Sequence, residues 1–251
     1  MTLSLAEKRL KSLGITQPSE IDLLAIADDM GAAVKKRNLT GCEAKIIGIK
    51  DRAIISINEN SNRYRQRYSL GHELGHWRMH RGKNFVCRAE DIGSNASQSE
   101  FERQADQYAA DLLMPEYLAA PFLRGFGDLT AQTILSFSDE FRVSYQAAAI
   151  RVGQLHAQHG YFAMISKTGV EWSCASKNVP WNCRIGADNR LAIPFPMERQ
   201  AFSFNAVPMH TWLQTPYHQD GFVDVHFVGV RDDRCVVAIP ISEYMRAILW
   251  E

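Results

Sequence analysis

Apolar positions recur with two different periods along this chain. Over residues 3–13, Leu3, Leu10 and Leu13 stand at roughly helical spacing, and over 19–30, Ile21, Leu24 and Met30 repeat the pattern. Gly31 suits the position just past a helix end. Residues 44–49 and 53–58 are short, Ile-rich runs joined at Lys50 and Asp51, and they read as two strands. A long helical stretch follows over about 62–80. The polar segment 82–98 reads as a loop, and 99–114 as a second strong helix that Pro115 stops. Residues 130–140 and 144–156 read as a helical pair with Thr130 and Ser144 as N-caps.

The pattern changes after His159. Aromatic and β-branched runs at 161–165, 170–174, 222–228 and 235–239 are punctuated by Gly, Pro and Asn, and a short helix over 242–250 closes the chain. The expectation is an α+β protein: a mainly helical core with a small sheet over residues 1–157, then a strand-rich accessory domain over 158–251.

Composition narrows the function classes. The 251 residues are 46% hydrophobic and 22% charged, as in an ordinary globular chain. Lys and Arg number 28 and so do Asp and Glu, so no overall field draws the chain to nucleic acid or to an anionic membrane. Lys8, Arg9 and Lys11 interrupt the N-terminus before an apolar core can form, which argues against a signal peptide. No run approaches the ~20 apolar residues of a membrane span. Five scattered cysteines, Cys42, Cys87, Cys174, Cys183 and Cys235, read as free thiols of a reducing cytoplasm.

The chemistry concentrates in His72-Glu73-Leu74-Gly75-His76, an H-E-x-x-H motif inside the predicted helix. Residues four apart share a helix face, so both imidazoles can aim at one Zn²⁺. Glu73, rotated by about 100° from His72, can reach a bound water as general base without being a ligand. Leu70, Leu74 and Trp77 continue an apolar stripe. Gly75 is a poor helix former in mid-helix, and close approach of another backbone would account for it.

A catalytic zinc needs a third protein ligand. The next helix offers Glu102 and Asp106, four apart on one face. Ser99 and Glu102 fit a capping box, which gives Glu102 a structural explanation. Asp106 lies among Ala105, Ala109 and Leu113, where a carboxylate needs a partner, so Asp106 is the expected ligand. In the alternative, Glu102 ligates and Asp106 orients a ligand histidine. His80 extends the histidine series, and its structural reading is a cation favoured at a helix C-terminus. Tyr68, His80 and Tyr108 are the nearby candidates for substrate or oxyanion contact. Arg63, Arg65, Arg67, Arg78 and Arg81 make this region basic, as a solvated face or as the lining of a cleft for an acidic polypeptide.

The segment Arg67-Tyr68-Ser69-Leu70-Gly71-His72-Glu73-Leu74-Gly75-His76, followed by Gln104-Ala105-Asp106-Gln107-Tyr108-Ala109-Ala110-Asp111-Leu112-Leu113-Met114-Pro115, resembles the ImmA/IrrE family of metallopeptidases. The strand ending Ile54-Ile55-Ser56-Ile57-Asn58 and the helix after Phe141-Arg142-Val143-Ser144 are similar too, so the likeness covers about residues 15–155. The resemblance implies one zinc ion held by His72, His76 and the acid at 106, with Glu73 as base. It also implies cleavage of a regulatory protein, a repressor or antitoxin, in stress responses or mobile elements. The family varies at position 106. Strand-rich tails in the family suggest a sensing role for 158–251.

Two other readings compete. A DNA-binding regulator could use the 130–156 pair as a helix-turn-helix, but residues 128–159 carry only Arg142 and Arg151 against Asp128, Asp139 and Glu140. A non-catalytic module with structural zinc would be expected to use Cys ligands. Neither substrate identity nor oligomeric state is legible in the sequence.

Overall fold

The computed structural model describes residues 2–81, 85–87, 100–177, 179, 183–186, 197–214, 221–231, 233–242 and 245. The chain divides into two compact units, Met1–Ala119 with Glu140–Ser144, and Ala120–Asp139 with Tyr145–Glu251. The architecture is α+β, as expected from the patterning.

The first unit begins with α1 (Leu5–Ser12), where Ser4 and Glu7 form a reciprocal capping box. The predicted helix over 19–30 is interrupted. A single 3₁₀ turn, Pro18–Glu20, comes first, and the Asp22 carboxylate then caps the Leu24 and Ala25 N–H groups to start α2 (Leu23–Asp29). Gly31 follows at φ +75°, and a Cβ there would meet the Asp51 carbonyl oxygen at 2.6 Å. Only glycine accepts both conditions.

Strands β1 (Ala32–Arg37), β2 (Ala44–Ile49) and β3 (Arg52–Asn58) come next, then α3 (Arg63–Met79), β4 (Phe85–Cys87) and α4 (Glu100–Leu113). The sheet order is β1-β3-β2-β4, with β1 parallel to β3 and the other pairs antiparallel. Sequence patterning misses β1, because Ala-Ala-Val-Lys-Lys-Arg carries one β-branched residue. Its strand state comes from the ladder it makes on β3, and its cations suit a sheet edge. Of the expected 82–98 loop, Phe85–Cys87 is a strand on β2 and the rest lies outside the described residues, as does Ser99 with its expected capping box.

Helix α3 starts where expected: the Asn62 side chain accepts the Tyr64 and Arg65 N–H groups at 3.0 Å each. Its apolar stripe meets the inner sheet face, where Ile46, Ile55 and Ile57 are buried. The Trp77 indole N–H donates to the Met30 carbonyl at 2.8 Å, and its ring fills the space over Gly48. On a neighbouring face, a Cβ on Gly75 would lie 3.0 Å from Ala105 Cα, and one on Gly71 would lie 3.4 Å from Ala109 Cα. The expected close approach at Gly75 is thus helix α4.

Pro115 ends α4, and α5 (Glu116–Arg124) follows at once, a helix that patterning did not supply and that contains Pro121. In the second unit, Thr130 and Thr133 cap each other at the start of α6 (Ala131–Phe141), and α7 (Tyr145–Leu155) begins directly after Ser144. Strands β5 (Gly160–Ser166), β6 (Gly169–Ala175), β7 (Arg184–Ile185), β8 (Ala201–Pro208), β9 (Leu213–Gln214), β10 (Phe222–Arg231) and β11 (Arg234–Pro240) complete it. Five form an antiparallel sheet in the order β6-β5-β11-β10-β8, and β7 pairs with β9. Alternate residues line one core: Tyr161, Ala163 and Ile165 beside Cys235, Val237 and Ile239, closed by Trp212 and Phe227. Gly153 lets α7 approach Phe162 and Ser176. Strand β8 went unpredicted because most of its side chains are exposed. The helix expected over 242–250 lies outside the described residues apart from Ser242 and Met245.

Candidate metal centre

Four side chains at a spacing of four, Tyr68, His72, His76 and His80, run along α3 and its C-cap. Glu102, Gln104 and Asp106 face them from α4. The close helix approach at Gly71 and Gly75 is what brings these rows within hydrogen-bond distance.

His72 and His76 turn their Nε2 atoms toward each other at 3.1 Å. The Glu102 carboxylate completes the triangle, with Oε2 3.1 Å from His72 Nε2 and Oε1 3.4 Å from His76 Nε2. Among the described residues, these three form the group of His, Cys, Asp and Glu side chains able to hold a metal ion. Tetrahedral donors at ~2.0–2.1 Å from a zinc ion would stand about 3.3 Å apart, so the donor separations fit the ion.

The outer nitrogens are also engaged. Asp106 Oδ1 lies 2.9 Å from His72 Nδ1 and accepts the Tyr68 hydroxyl at 3.0 Å. His76 Nδ1 lies 3.1 Å from His80 Nδ1, and His80 Nε2 lies 3.0 Å from Gln104 Oε1. Gln104 Oε1 accepts only, so His80 carries its proton on Nε2 and offers a lone pair on Nδ1 to the His76 N–H. In their neutral forms both ligand candidates therefore hold the proton on Nδ1 and direct an Nε2 lone pair inward.

The electrostatics agree. Burial alone would strip the proton from His72, but its bonds to Asp106 and Glu102 prevail and raise its pKa to about 9. Burial also opposes ionisation of Glu102, yet the two histidines bring it down to about 2. For His76, burial dominates and lowers the pKa. Burial, reinforced by the Asp106 charge, keeps the Tyr68 phenol protonated as a donor. Three acceptors converging on one point need a positive charge among them. A proton on His72 meets that need in part, and a divalent cation meets it for all three donors.

Of the two carboxylates weighed from sequence, Glu102 joins the Nε2 pair, while Asp106 sits on the far nitrogen of His72. Glu73 is fully buried one residue along α3, and its charge adds to the pull on the His72 proton. Tyr108 packs beside Gly75, with its hydroxyl 4.0 Å from Met30 Sδ. Basic residues of α3 and just past its end engage neighbours: Arg65 faces Glu43 at 3.8 Å, Arg63 lies over Tyr64, and Arg81 lies over Trp77. Sequence reasoning did not foresee the His76–His80–Gln104 relay. The spacing of four that His80 shares with the motif was its signal.

Two further facts bear on the cell biology. No helix among the described residues is long and apolar enough to cross a membrane, and Cys42, Cys174, Cys183 and Cys235 are unbridged thiols.

No curated protein matches the chain. A solved Mycobacterium tuberculosis transcriptional regulator aligns with 97% of this chain and 76% of its own, with a TM-score of 0.54 and 11% identity, which is a likeness of fold. The IrrE N-terminal-like domain model, Peptidase_M78, matches residues 27–152, which hold every residue of the cluster just described. The chain belongs to the IrrE N-terminal-like, Peptidase_M78 family.

Proposed function

We propose that this protein is a zinc-dependent endopeptidase that cleaves a peptide bond in a regulatory protein, with His72, His76 and Glu102 as ligands and Glu73 as general base. The observation that carries the reading is the convergence of two Nε2 atoms and one carboxylate on a single point, with both Nδ1 atoms committed elsewhere. Asp106 is then a positioning residue for His72 rather than a ligand, because it sits on Nδ1.

When bound, zinc would polarise the scissile carbonyl and acidify the attacking water. Glu73 takes the proton from that water and delivers it to the leaving amine nitrogen. Its place next to His72 puts it beside the ligand set without joining it. Asp106 and Tyr68 hold the His72 ring, and His80 and Gln104 hold the His76 ring, so the site needs little reorganisation at reaction. Tyr68, His80 and Tyr108 all have engagements that favour structural roles over oxyanion contact. The substrate class, a repressor or antitoxin, rests on the family resemblance. A DNA-binding role for α7 finds no support in its surface: its exposed positions Gln146, Ile150 and Gln154 carry no cation, and Arg151 is buried.

The test is Glu73→Gln. This variant should bind one zinc per chain by elemental analysis and lose about 10²–10⁴-fold in cleavage. Proteins cut in cells by the wild type and left intact by the variant, identified by mass spectrometry, would be the substrates. Cleavage at the normal rate by the variant would remove Glu73 from the mechanism.

A further inference from the structure

The sheet of the first unit has a second face. Its inner face, carrying Ile46, Ile55 and Ile57, is closed by α3. On the outer face, alternation calls for polar residues where a sheet meets water. Instead Ile47 and Ile49 of β2 and Ile54 of β3 point outward and are 51%, 71% and 44% exposed. Ile47 and Ile54 are direct cross-strand partners, and Ala33 of β1 is the register partner of Ile54 on the other side. An apolar strip therefore crosses three strands, a span of about 10 Å. Packing within the pair explains Ile47 and Ile54. It does not explain Ile49, the most exposed of the three, whose partner is Arg52.

The charges on this face are of one sign. In the row beside the strip stand Lys35 and Lys45, which flank Ser56 in register, and Arg52 stands on the opposite side. Arg37 extends the cationic side along β1. The outward positions of β1, β2 and β3 include no Asp or Glu. In a chain with zero net charge, this is a local concentration and not a reflection of composition.

We propose that this outer face docks an acidic, amphipathic helix of a partner protein. In layered folds an apolar sheet face is covered by a helix or by a second sheet, and in this unit the opposite face is already covered by a helix, α3. Apolar residues three and four apart on a helix lie about 5–6 Å from one another, which matches the spacing of neighbouring strands and of alternate residues along one strand. Asp and Glu residues flanking that stripe would meet Lys35 and Lys45 on one side and Arg52 on the other, so charge sets both partner and orientation. The surface does not depend on the metal reading: it lies on the sheet face opposite the one that α3 covers.

The experiment uses the full chain and a fluorescein-labelled amphipathic peptide of about 18 residues, with leucines on one face flanked by glutamates. A lysine-flanked version of the same peptide, phosphatidylserine-containing vesicles and a labelled DNA duplex serve as competing arms. Anisotropy titration should show the acidic peptide binding at least tenfold tighter than the lysine version and weakening as salt rises. Ile47→Ser with Ile54→Ser should weaken binding at least tenfold, and so should Lys35→Glu with Arg52→Glu. All four positions are at the surface, so circular dichroism and zinc content should stay as in the wild type. Absence of acidic-peptide binding, or binding that survives both double variants, would overturn the proposal. Binding of the vesicles or the duplex in place of the peptide would overturn it too.

Discussion

Along α3 of the first unit, the most deeply buried residues include Ser69, His72, Glu73 and His76, all polar or ionisable. Along β5 and β11 of the second unit, the buried row is Tyr161, Ala163 and Ile165 beside Cys235, Val237 and Ile239. The second arrangement rests mainly on shape: apolar area leaves water and the core closes. The first is tolerable because its imidazoles meet partners of matching charge or hydrogen-bonding capacity, His72 at Asp106 and Glu102 and His76 at His80 and Glu102. The difference separates a region whose sequence is constrained by packing from one constrained by chemistry. Even the thiols follow it: burial alone raises Cys174 and Cys235 to about 12 each, which leaves them unreactive.

The strongest way to break this comparison is to damage the packing core and watch the chemistry. Phe227 stacks on Phe202 with centroids 4.5 Å apart and meets Trp212 edge-on. Phe227→Ala should cost about 3–5 kcal/mol in denaturant unfolding while zinc stoichiometry under native conditions stays at one per chain. Loss of zinc from a folded variant would show that the two regions are not separable in this way.

A smaller effect sharpens the other side. His80→Ala leaves the His76 Nδ1–H without its imidazole acceptor, so zinc affinity should fall about 10–100-fold in a chelator competition. Unfolding of the metal-free protein should change far less than in the Phe227 variant. Unaltered affinity would reduce His80 to a helix-end residue.

The mildest probe is pH. His72 holds its proton in the metal-free protein up to about 9, above its ordinary 6.5, while Glu102 stays ionised down to about 2. Zinc must displace the His72 proton, so apparent affinity should rise from pH 6 to 8 by no more than about tenfold per unit. The linked stability has the opposite sense. The raised His72 value stabilises the metal-free protein fully below about 6.5, and that contribution is lost as pH rises through about 9. A flat zinc affinity over this range would mean that no proton leaves His72 on binding.

Much of this was readable in advance where local chemistry and periodicity agreed. Asn62, Thr130 and Gly31 mark element ends because capping and positive φ are properties of single residues. Strand β1 was not readable, since its three cations look like a surface loop until β3 supplies the ladder. Nor was α5, which contains Pro121. The choice between Asp106 and Glu102 lay beyond the sequence for a related reason. Both share one face of α4, and a residue's neighbours on a helix say nothing about which nitrogen of a facing imidazole it will meet.

The amino-acid order by itself determined the H-E-x-x-H helix, the row of four from Tyr68 to His80, and the glycine at 75 that lets another backbone come close. These depend on turns of one helix, whose geometry is set by backbone hydrogen bonds between near neighbours. Only tertiary structure decided that α4 would be that second helix, that Glu102 would meet the Nε2 pair, and that Asp106 would stand behind His72. Those placements depend on how two helices cross, to within a few tenths of an ångström, and only the packed core fixes that distance.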